Sequence, residues 1–331
     1  MPFSRERSVS RRSFCLCCVG AAAYTVTGGW LTPREAFAEA RGLVSLFKDS
    51  AAVSQITTHK LRDNISVLEG SGGNIAVLTG PDGKVLIDGG IGASRPQITN
   101  ALADLGADPI THLVNTHWHF DHTSSNEWLH AAGAKIIALE NTRKYLSEVQ
   151  RVEDWDYNFL PLSPGGVPSE VFASEHSLKL NGATIGLKRY TPAHTDSDIS
   201  VTFGEADILH TGDTYWNGIY PFIDYSTGGS IDGMIAASDA NLAVATTNTI
   251  IIPGHGQPAG QPDAALASAR NGHCEEQALG ATGVPCSLAA GQKTSIRSAP
   301  IQGVRNHQVH ACDQKNPLSL SAGKHRRKLG G

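Results

Sequence analysis

The stretch that decides the fold is Thr116-His117-Trp118-His119-Phe120-Asp121-His122. It holds three imidazoles and one carboxylate within six residues, and these side chains suit zinc. Residues 112–114 predict a strand that runs straight into this stretch. The spacing of these residues lets the four groups diverge as two pairs toward two ions. The stretch therefore predicts a metal site at the end of a β-strand.

Three more candidate ligands, His194, Asp213 and His255, each lie at the end of an apolar run. Ligands that follow successive strands converge on one edge of a layered sheet structure, so we expect all three to join the first stretch. The other nine of the fourteen histidines, among them His210 and His273, show no converging partners in sequence. We expect those nine to be structural or solvated.

Working outward from this stretch, short apolar runs alternate with helical patterns. Strands are predicted at 65–68, 74–78, 85–87, 135–139, 184–190, 199–203, 207–210 and 249–252. Helices are predicted at 94–105, 126–132, 141–149 and 231–244, the third capped by Asn141. Residues 151–170 show no period and are predicted to form a long surface loop of the kind that often acts as a lid. Strand runs flanked by helices predict an α/β sandwich.

The two ends of the chain differ from this central pattern. Ser10-Arg11-Arg12-Ser13-Phe14 precedes a mild apolar stretch and the small residues of Ala36-Phe37-Ala38, which predicts a twin-arginine signal peptide over 1–38. A chance arginine pair before a membrane anchor is the alternative, but the apolar stretch is short and contains glycines. We therefore expect delivery by the twin-arginine export machinery to a periplasmic or secreted location, without a stable membrane anchor.

The central domain is predicted to span 50–262, followed by a low-order C-terminal tail over 263–331. Residues 261–331 contain no Phe, Trp or Tyr and no sustained apolar period, so they struggle to offset the entropy of ordering. A short helix near 264–269 is the exception that we expect. Trimming the chain after about residue 270 is predicted to cost little stability.

The HxHxDH stretch, the isolated histidine, Thr211-Gly212-Asp213 and Pro253-Gly254-His255-Gly256 follow one another as in a known family. In these motifs the chain resembles the metallo-beta-lactamase superfamily over roughly residues 60 to 260. The resemblance implies an α/β fold of the αββα type, with two mixed sheets and helices on the outer faces. It also implies two zinc ions per chain, held by His117, His119 and His194, by Asp121, His122 and His255, and by a bridging Asp213.

Two zinc ions can share a hydroxide that attacks a carbonyl without a side-chain base, so the site predicts a hydrolase. Asp121 is expected to serve the reaction as well as the metal. Within the family that the chain resembles, an Asp at position 213 is typical of glyoxalase II thioesterases and lactonases. The resemblance therefore implies a small ester, thioester or lactone as the substrate. Class B beta-lactamase activity, an iron-dependent sulfur oxygenase and a non-catalytic binding protein are the alternatives.

Residues just after Asp213 are candidates for contact with substrate. Tyr215 and Tyr220 are predicted to be catalytic, since a phenol near the metals could hydrogen-bond a developing oxyanion, with Trp216 and Asn217 setting specificity. The alternative is that these aromatics only pack a loop. Asp88 at the end of its strand could orient a ligand imidazole or simply form a turn.

The net charge of the central domain indicates which kinds of partner the chain can bind. Residues 39–260 carry 13 Lys and Arg against 25 Asp and Glu, a sign opposite to that of a phosphate-binding surface, so nucleic acid is not an expected partner. Two ligand carboxylates against two divalent cations leave positive charge at the site. The sequence therefore predicts a small-molecule substrate that is anionic or contains a carbonyl group.

Overall fold

A computed structural model describes residues 42–259 and the helical residues 266–267, 269–270 and 272–273. The predicted signal peptide over 1–38 and most of the predicted tail lie outside these described residues. In this part of the chain, no helix combines the length and the apolar character needed to cross a bilayer.

The described residues form two mixed β-sheets. The first sheet has seven strands, in the spatial order β1 (Thr57–Lys60), β2 (Ile65–Glu69), β3 (Ile75–Leu78), β4 (Lys84–Ile87), β5 (Ile110–Val114), β6 (Lys135–Leu139) and β9 (Glu170–Phe172). Its first three pairs are antiparallel and its last three are parallel. β7 (Gln150–Val152) and β8 (Tyr157–Phe159) form a separate antiparallel hairpin.

The second sheet has five strands, in the order β10 (Glu175–Leu180), β11 (Ala183–Arg189), β12 (Ile199–Phe203), β13 (Ile208–His210) and β14 (Ile250–Ile252). Only its β13–β14 pair is parallel, so both sheets are mixed. The helices of the described residues are α1 (Leu43–Val53), α2 (Arg95–Asp104), α3 (Phe120–Thr123), α4 (Asn126–Ala131), α5 (Glu140–Ser147) and α6 (Ile231–Val244).

The main core lies between the two sheets. One apolar cluster combines side chains of the first sheet, such as Val67 and Val114, with side chains of the second, such as Val201 and Ile252. The opposite face of the first sheet packs on α2 and α4 in a second cluster. Strands β3 and β4 are buried on both faces for this reason. This arrangement confirms the predicted αββα layers.

Three local predictions differ from the structure. Residues 151–170 are not one irregular loop, because Trp155 is buried beside the β7–β8 hairpin and 170–172 join the first sheet. Asn141 does not cap α5, whose N-cap is Leu139; its side chain instead donates to the Asp196 carbonyl oxygen at 3.2 Å. The edge strands β1 and β10 were missed because their exposed polar residues carry no apolar run.

Packing of the domain continues past residue 262, where the sequence predicted the domain to end. Leu266 is only 1% exposed and packs with Leu209, Tyr215 and Ile251 of the second sheet and its edge. The described residues from 266 to 273 are helical, which extends the short helix expected at 264–269. The composition of the tail does not predict this contact, because the contact depends mainly on a single leucine.

Candidate metal centre

The HxHxDH stretch leaves β5 at the edge of the first sheet and turns into α3. Asp88, at the end of the neighbouring β4, fixes this turn, since its carboxylate accepts from the Thr116 amide and from the Thr116 hydroxyl, each at 2.7 Å. Asn115 and Asn126 exchange side-chain hydrogen bonds of 3.1 and 2.9 Å, which tie the same turn to α4. These buried polar contacts hold the candidate ligands at the sheet edge.

All seven predicted ligands come together in two buried groups. In each group, one potential ligand atom of every member lies within 4.8 Å of those of the others. The first group is His117, His119, His194 and Asp213, and the second is Asp121, His122 and His255. The residues come from the ends of strands in both sheets, as the positions along the chain predicted.

Asp213 lies between the two groups. Its Oδ1 is 3.1 Å from His122 Nε2, and its Oδ2 is 3.3 Å from His255 Nε2 in the second group. The same Oδ2 is 3.5 Å from His194 Nε2 and 3.9 Å from His117 Nε2 in the first. One carboxylate thus reaches both groups, which is the placement of a residue that bridges two cations.

Several of these atoms are buried without a hydrogen-bond partner among the described residues: His117 Nε2, His122 Nε2, His255 Nε2 and Asp213 Oδ1. Each such atom costs about 1–3 kcal/mol when it stays unsatisfied, so a cluster of four is unusual. A cation in each of the two groups would satisfy all four. The donor set of imidazole nitrogens and carboxylate oxygens fits a pair of zinc ions.

The outer ring nitrogens are held by hydrogen bonds. His122 Nδ1 lies 2.8 Å from Asp88 Oδ2, and His119 Nε2 lies 3.0 Å from Asp224 Oδ2. His194 Nδ1 bonds the carbonyl oxygen of Phe222. These partners fix the orientations of the three rings. His119 therefore turns its Nδ1 toward the centre, whereas His122 and His194 turn their Nε2 toward it. Asp88 therefore orients a ligand, which is the first of its two predicted roles.

Asp224 is a site residue that sequence reasoning missed. Its Oδ1 accepts from the amide and hydroxyl of Ser226, and its Oδ2 accepts from the Thr227 hydroxyl at 2.6 Å. In sequence, Asp-Tyr-Ser-Thr is indistinguishable from an ordinary turn closed by an aspartate side chain. Its contact with His119 spans more than one hundred residues of chain, so no local pattern could have shown it.

Burial and charge divide the histidines of the centre. Burial lowers the pKa of His117 well below its usual value and that of His194 to about 4, so both are neutral and ready to ligate at pH 7. Burial also opposes the charge of His122 and His255, but the Asp213 and Asp121 carboxylates, joined at His122 by Asp88, together outweigh it. They raise the pKa of His122 well above normal and that of His255 to about 9. A bound cation would replace those protons.

One side of the centre is open. The side chain of His255 is 15% exposed and that of Asp121 is 9% exposed, whereas the other five candidate ligands are almost fully buried. Asp121 Oδ2 lies 3.2 Å from His255 Nε2, so the two residues form one rim. A substrate would therefore reach the centre past Asp121 and His255.

Aromatic side chains surround the rest of the centre. The Trp216 ring lies 4.4 Å from the His255 ring, and the Trp155 ring lies 5.3 Å from that of His119, measured between centroids. Trp118 and Phe120 are buried and pack against Phe159 of the β7–β8 hairpin.

The two predicted catalytic tyrosines occupy a different place from Trp216. Tyr215 packs in the apolar cluster around Leu209, and its hydroxyl donates to Asn217 Oδ1 at 3.3 Å. The Tyr220 hydroxyl pairs with His273 Nδ1. Neither hydroxyl contact is with one of the seven candidate ligands, so a catalytic role for Tyr215 and Tyr220 stays a prediction. In this segment the Trp216 ring lies against the His255 ring.

Comparison with known proteins agrees with this geometry. Residues 68–266 match the family description of the metallo-beta-lactamase superfamily. The chain belongs to this superfamily. Among solved structures, a Cronobacter sakazakii metallo-beta-lactamase superposes with a TM-score of 0.57 at 19% identity, covering 71% of this chain and 98% of that one. A metallo-beta-lactamase from Pontibacter korlensis gives a TM-score of 0.53 at 17% identity, covering 66% of this chain and 98% of that one. At these identities the superfamily fold alone is shared.

Curated relatives match shorter segments. An uncharacterised Bacillus subtilis protein, YobT, is 31% identical over 134 residues, covering 39% of this chain and 56% of that protein. The hydroxyacylglutathione hydrolase of Maricaulis maris is 28% identical over 158 residues, covering 46% of this chain and 48% of that protein. The chain thus spans about half the length of the curated relatives it matches.

Proposed function

We propose that this chain is a hydrolase that holds two zinc ions and cleaves a small ester, thioester or lactone. The observation that carries the proposal is the pair of buried His and Asp groups that share Asp213. The hydroxyacylglutathione hydrolases among its relatives support the reaction class. An acidic residue at the shared position favours this class over the dedicated class B beta-lactamases.

The chain's own residues have separable tasks in this reaction. Zinc ions in the site would supply Lewis acidity and a water that ionises near neutral pH. His117, His119 and His194 present ring nitrogens to one position, and Asp213 would supply a carboxylate oxygen to each of the two groups. Asp121 and Asp213 contribute only two negative charges, so the loaded site favours the negative charge that develops on a carbonyl oxygen under attack.

The rim formed by Asp121 and His255 determines how a substrate reaches the centre and how it is oriented there. Asp121 and His255 form the exposed side, and the Trp216 ring packs against His255. A carbonyl group that enters there meets the two ligand groups at the same time. Asp121 is the more exposed of the two ligand carboxylates, and it is therefore the side chain placed to accept the proton that the attacking water loses and to pass it to the departing thiolate or alkoxide.

Hydrolysis of a substrate panel tests the proposal. The zinc-loaded chain is assayed against thioesters, lactones, aryl esters and a chromogenic cephalosporin, with His119→Ala as the inactive reference. We expect turnover of at least one of the first three classes, and its loss in the variant. Turnover of the cephalosporin alone would favour the beta-lactamase alternative, and a single iron with oxygen consumption would favour the oxygenase.

We also propose export by the twin-arginine route, on the basis of Arg11 and Arg12 ahead of an apolar stretch. Because this route carries folded proteins, zinc can be loaded before the chain crosses the membrane. Replacing both arginines by lysine is expected to abolish periplasmic accumulation. Unchanged accumulation would contradict the proposal.

A further inference from the structure

His210 is a polar side chain at a core position near the candidate metal centre. It ends β13, three residues before Asp213, and it is fully buried. Because side chains alternate along a strand, it lies on the face that carries Ile208 into the core between the two sheets, whereas Leu209 packs on the other face. A buried polar group is unfavourable unless it is hydrogen-bonded, so an imidazole at this position needs a partner.

The partner is the backbone of the turn that carries Asp213. The parallel pairing of β13 with β14 ends where the Thr211 amide donates to the Ile252 carbonyl oxygen at 3.0 Å. The next amide, that of Gly212, donates instead to His210 Nδ1 at 3.1 Å. The imidazole thus replaces the sheet as the hydrogen-bond acceptor at the point where the chain leaves the strand.

The conformation of Gly212 directs the Asp213 side chain. Its φ of +52° lies in the left-handed region, so the chain changes direction there. Immediately after it, Asp213 presents Oδ1 at 3.1 Å from His122 Nε2 and Oδ2 at 3.5 Å from His194 Nε2. A rotation of the Gly212 backbone would move both oxygens away from these distances. The hydrogen bond that holds the Gly212 amide therefore bears on both ligand groups.

The contact requires a neutral imidazole with its proton on Nε2, because an amide can donate only to a ring nitrogen that keeps its lone pair. Burial lowers the pKa of His210 to about 4, although the Asp88 carboxylate acts in the opposite direction. His210 is therefore neutral at pH 7 and can accept from Gly212. Its burial agrees with the structural role expected from the sequence, and the contact with Gly212 makes that role specific.

We propose that His210 is a positioning residue, which acts through the Gly212 amide to hold Asp213 where one carboxylate reaches both ligand groups. This assignment rests on the proposed function, since that function needs Asp213 to join two zinc ions. It makes zinc affinity depend on a hydrogen-bond acceptor at the Nδ1 position of residue 210. A side chain that only fills the core would show no such dependence.

His210→Leu and His210→Asn form a matched pair, because the two new side chains have the same branched shape and only the Asn oxygen can accept in place of Nδ1. Competition with a chromogenic zinc chelator measures the affinity for each zinc ion. We expect His210→Leu to weaken the weaker of the two binding steps at least about tenfold, and His210→Asn to stay within about threefold of the wild type. Equal affinities in the two variants would overturn the assignment.

The wild-type chain covers the case in which His210→Leu does not fold. Nitrogen–proton NMR spectra of the His210 imidazole report which ring nitrogen carries the proton. We expect the proton on Nε2 at pH 7, because Nδ1 accepts from Gly212. A proton on Nδ1 would overturn the assignment.

Failure of the proposed function is distinguishable from failure of this assignment, since the readout is zinc affinity and not turnover. Zinc binding without hydrolysis would overturn the function and leave the comparison of the two variants intact. If the wild type binds no zinc, hydrogen exchange of the Gly212 amide in the metal-free variants decides. Exchange at least about tenfold faster in His210→Leu than in His210→Asn would support the contact, and equal rates would overturn it.

Discussion

The geometry around Asp213 depends on a neighbouring residue that has no side chain. The Cα of Gly254 approaches Asp213 so closely that a β-carbon there would overlap Asp213 Oδ1 and the backbone of Gly212. Gly212 itself has a φ of +52°, in the left-handed region that favours glycine. The two glycines thus let the chain bring the shared carboxylate between the two histidine groups.

Gly254→Ala is predicted to displace Asp213 and to weaken zinc binding at least about tenfold, as loss of a ligand-orienting contact does elsewhere. Gly204→Ala is the control, because its β-carbon would come no closer than 3.9 Å to a neighbouring atom. Competition with a chromogenic zinc chelator measures the affinity. An alanine at 254 that leaves the affinity unchanged would show that Asp213 is not held as described.

Asp224→Asn is predicted to lower zinc affinity about 10- to 100-fold, since the amide no longer supplies the negative charge that orients and polarises the His119 ring. The exposed Asp104→Asn on α2 is the matched control. The same chelator competition measures both variants. Equal affinities in the two would rule out a role for Asp224 in holding His119.

Sequence reasoning could predict that the seven candidate ligands come together in two groups, because they follow predicted strands, and strand ends meet at a sheet edge. It could propose Asp88 for the same reason. It could not find Asp224, because its contact with His119 depends on how a distant loop folds over the sheet edge. It named Trp216 as a specificity residue, and the structure places this ring against His255. It favoured Tyr215 and Tyr220, whose hydroxyl contacts in the structure are with Asn217 and His273.

At the scale of elements, the β7–β8 hairpin replaces the expected irregular loop. It positions Trp155 against His119 and stacks it with Phe222, whose carbonyl oxygen holds His194. The period of a strand is hard to see in three-residue segments, which explains why the sequence suggested only a loop. The hairpin is therefore part of the support for the first ligand group.

Trp155→Ala is predicted to lower the free energy of unfolding by about 3 kcal/mol, because this side chain is only 6% exposed and its removal leaves a cavity. Leu160→Ala, at a side chain that is 75% exposed, is the control and should change stability by less than about 0.5 kcal/mol. Denaturant unfolding measures both. A loss below about 1 kcal/mol for Trp155→Ala would contradict the packing described for the hairpin.

At the scale of the whole molecule, the layers were predictable and the end of the domain was not. Alternating apolar runs indicated both sheets and the outer helices, since the two faces of a buried strand must each be covered. Composition alone placed the boundary at 262, yet Leu266 packs on the second sheet and His273 on Tyr220. One buried leucine in an otherwise polar segment is too weak a pattern for the sequence to predict that the domain extends past 262.

A chain that ends after residue 262 is predicted to melt about 4–10 °C lower than one that ends after 273, since it loses the buried Leu266 side chain. Because residues 274–331 contain no Phe, Trp or Tyr, ending after 273 should change the melting temperature of the full chain by only about 2 °C. Calorimetry of the three chains measures this. Equal melting for the two shortened chains would contradict the packing of Leu266.

We propose that two metal ions, joined by Asp213, carry out hydrolysis. Zinc titrated into the metal-free chain, with bound zinc counted by mass spectrometry and thioester hydrolysis followed in the same samples, tests it most directly. We predict that activity reaches its maximum at two zinc ions per chain and that Asp213→Ala retains at most one. Full activity at a single bound ion, or none at two, would contradict the claim.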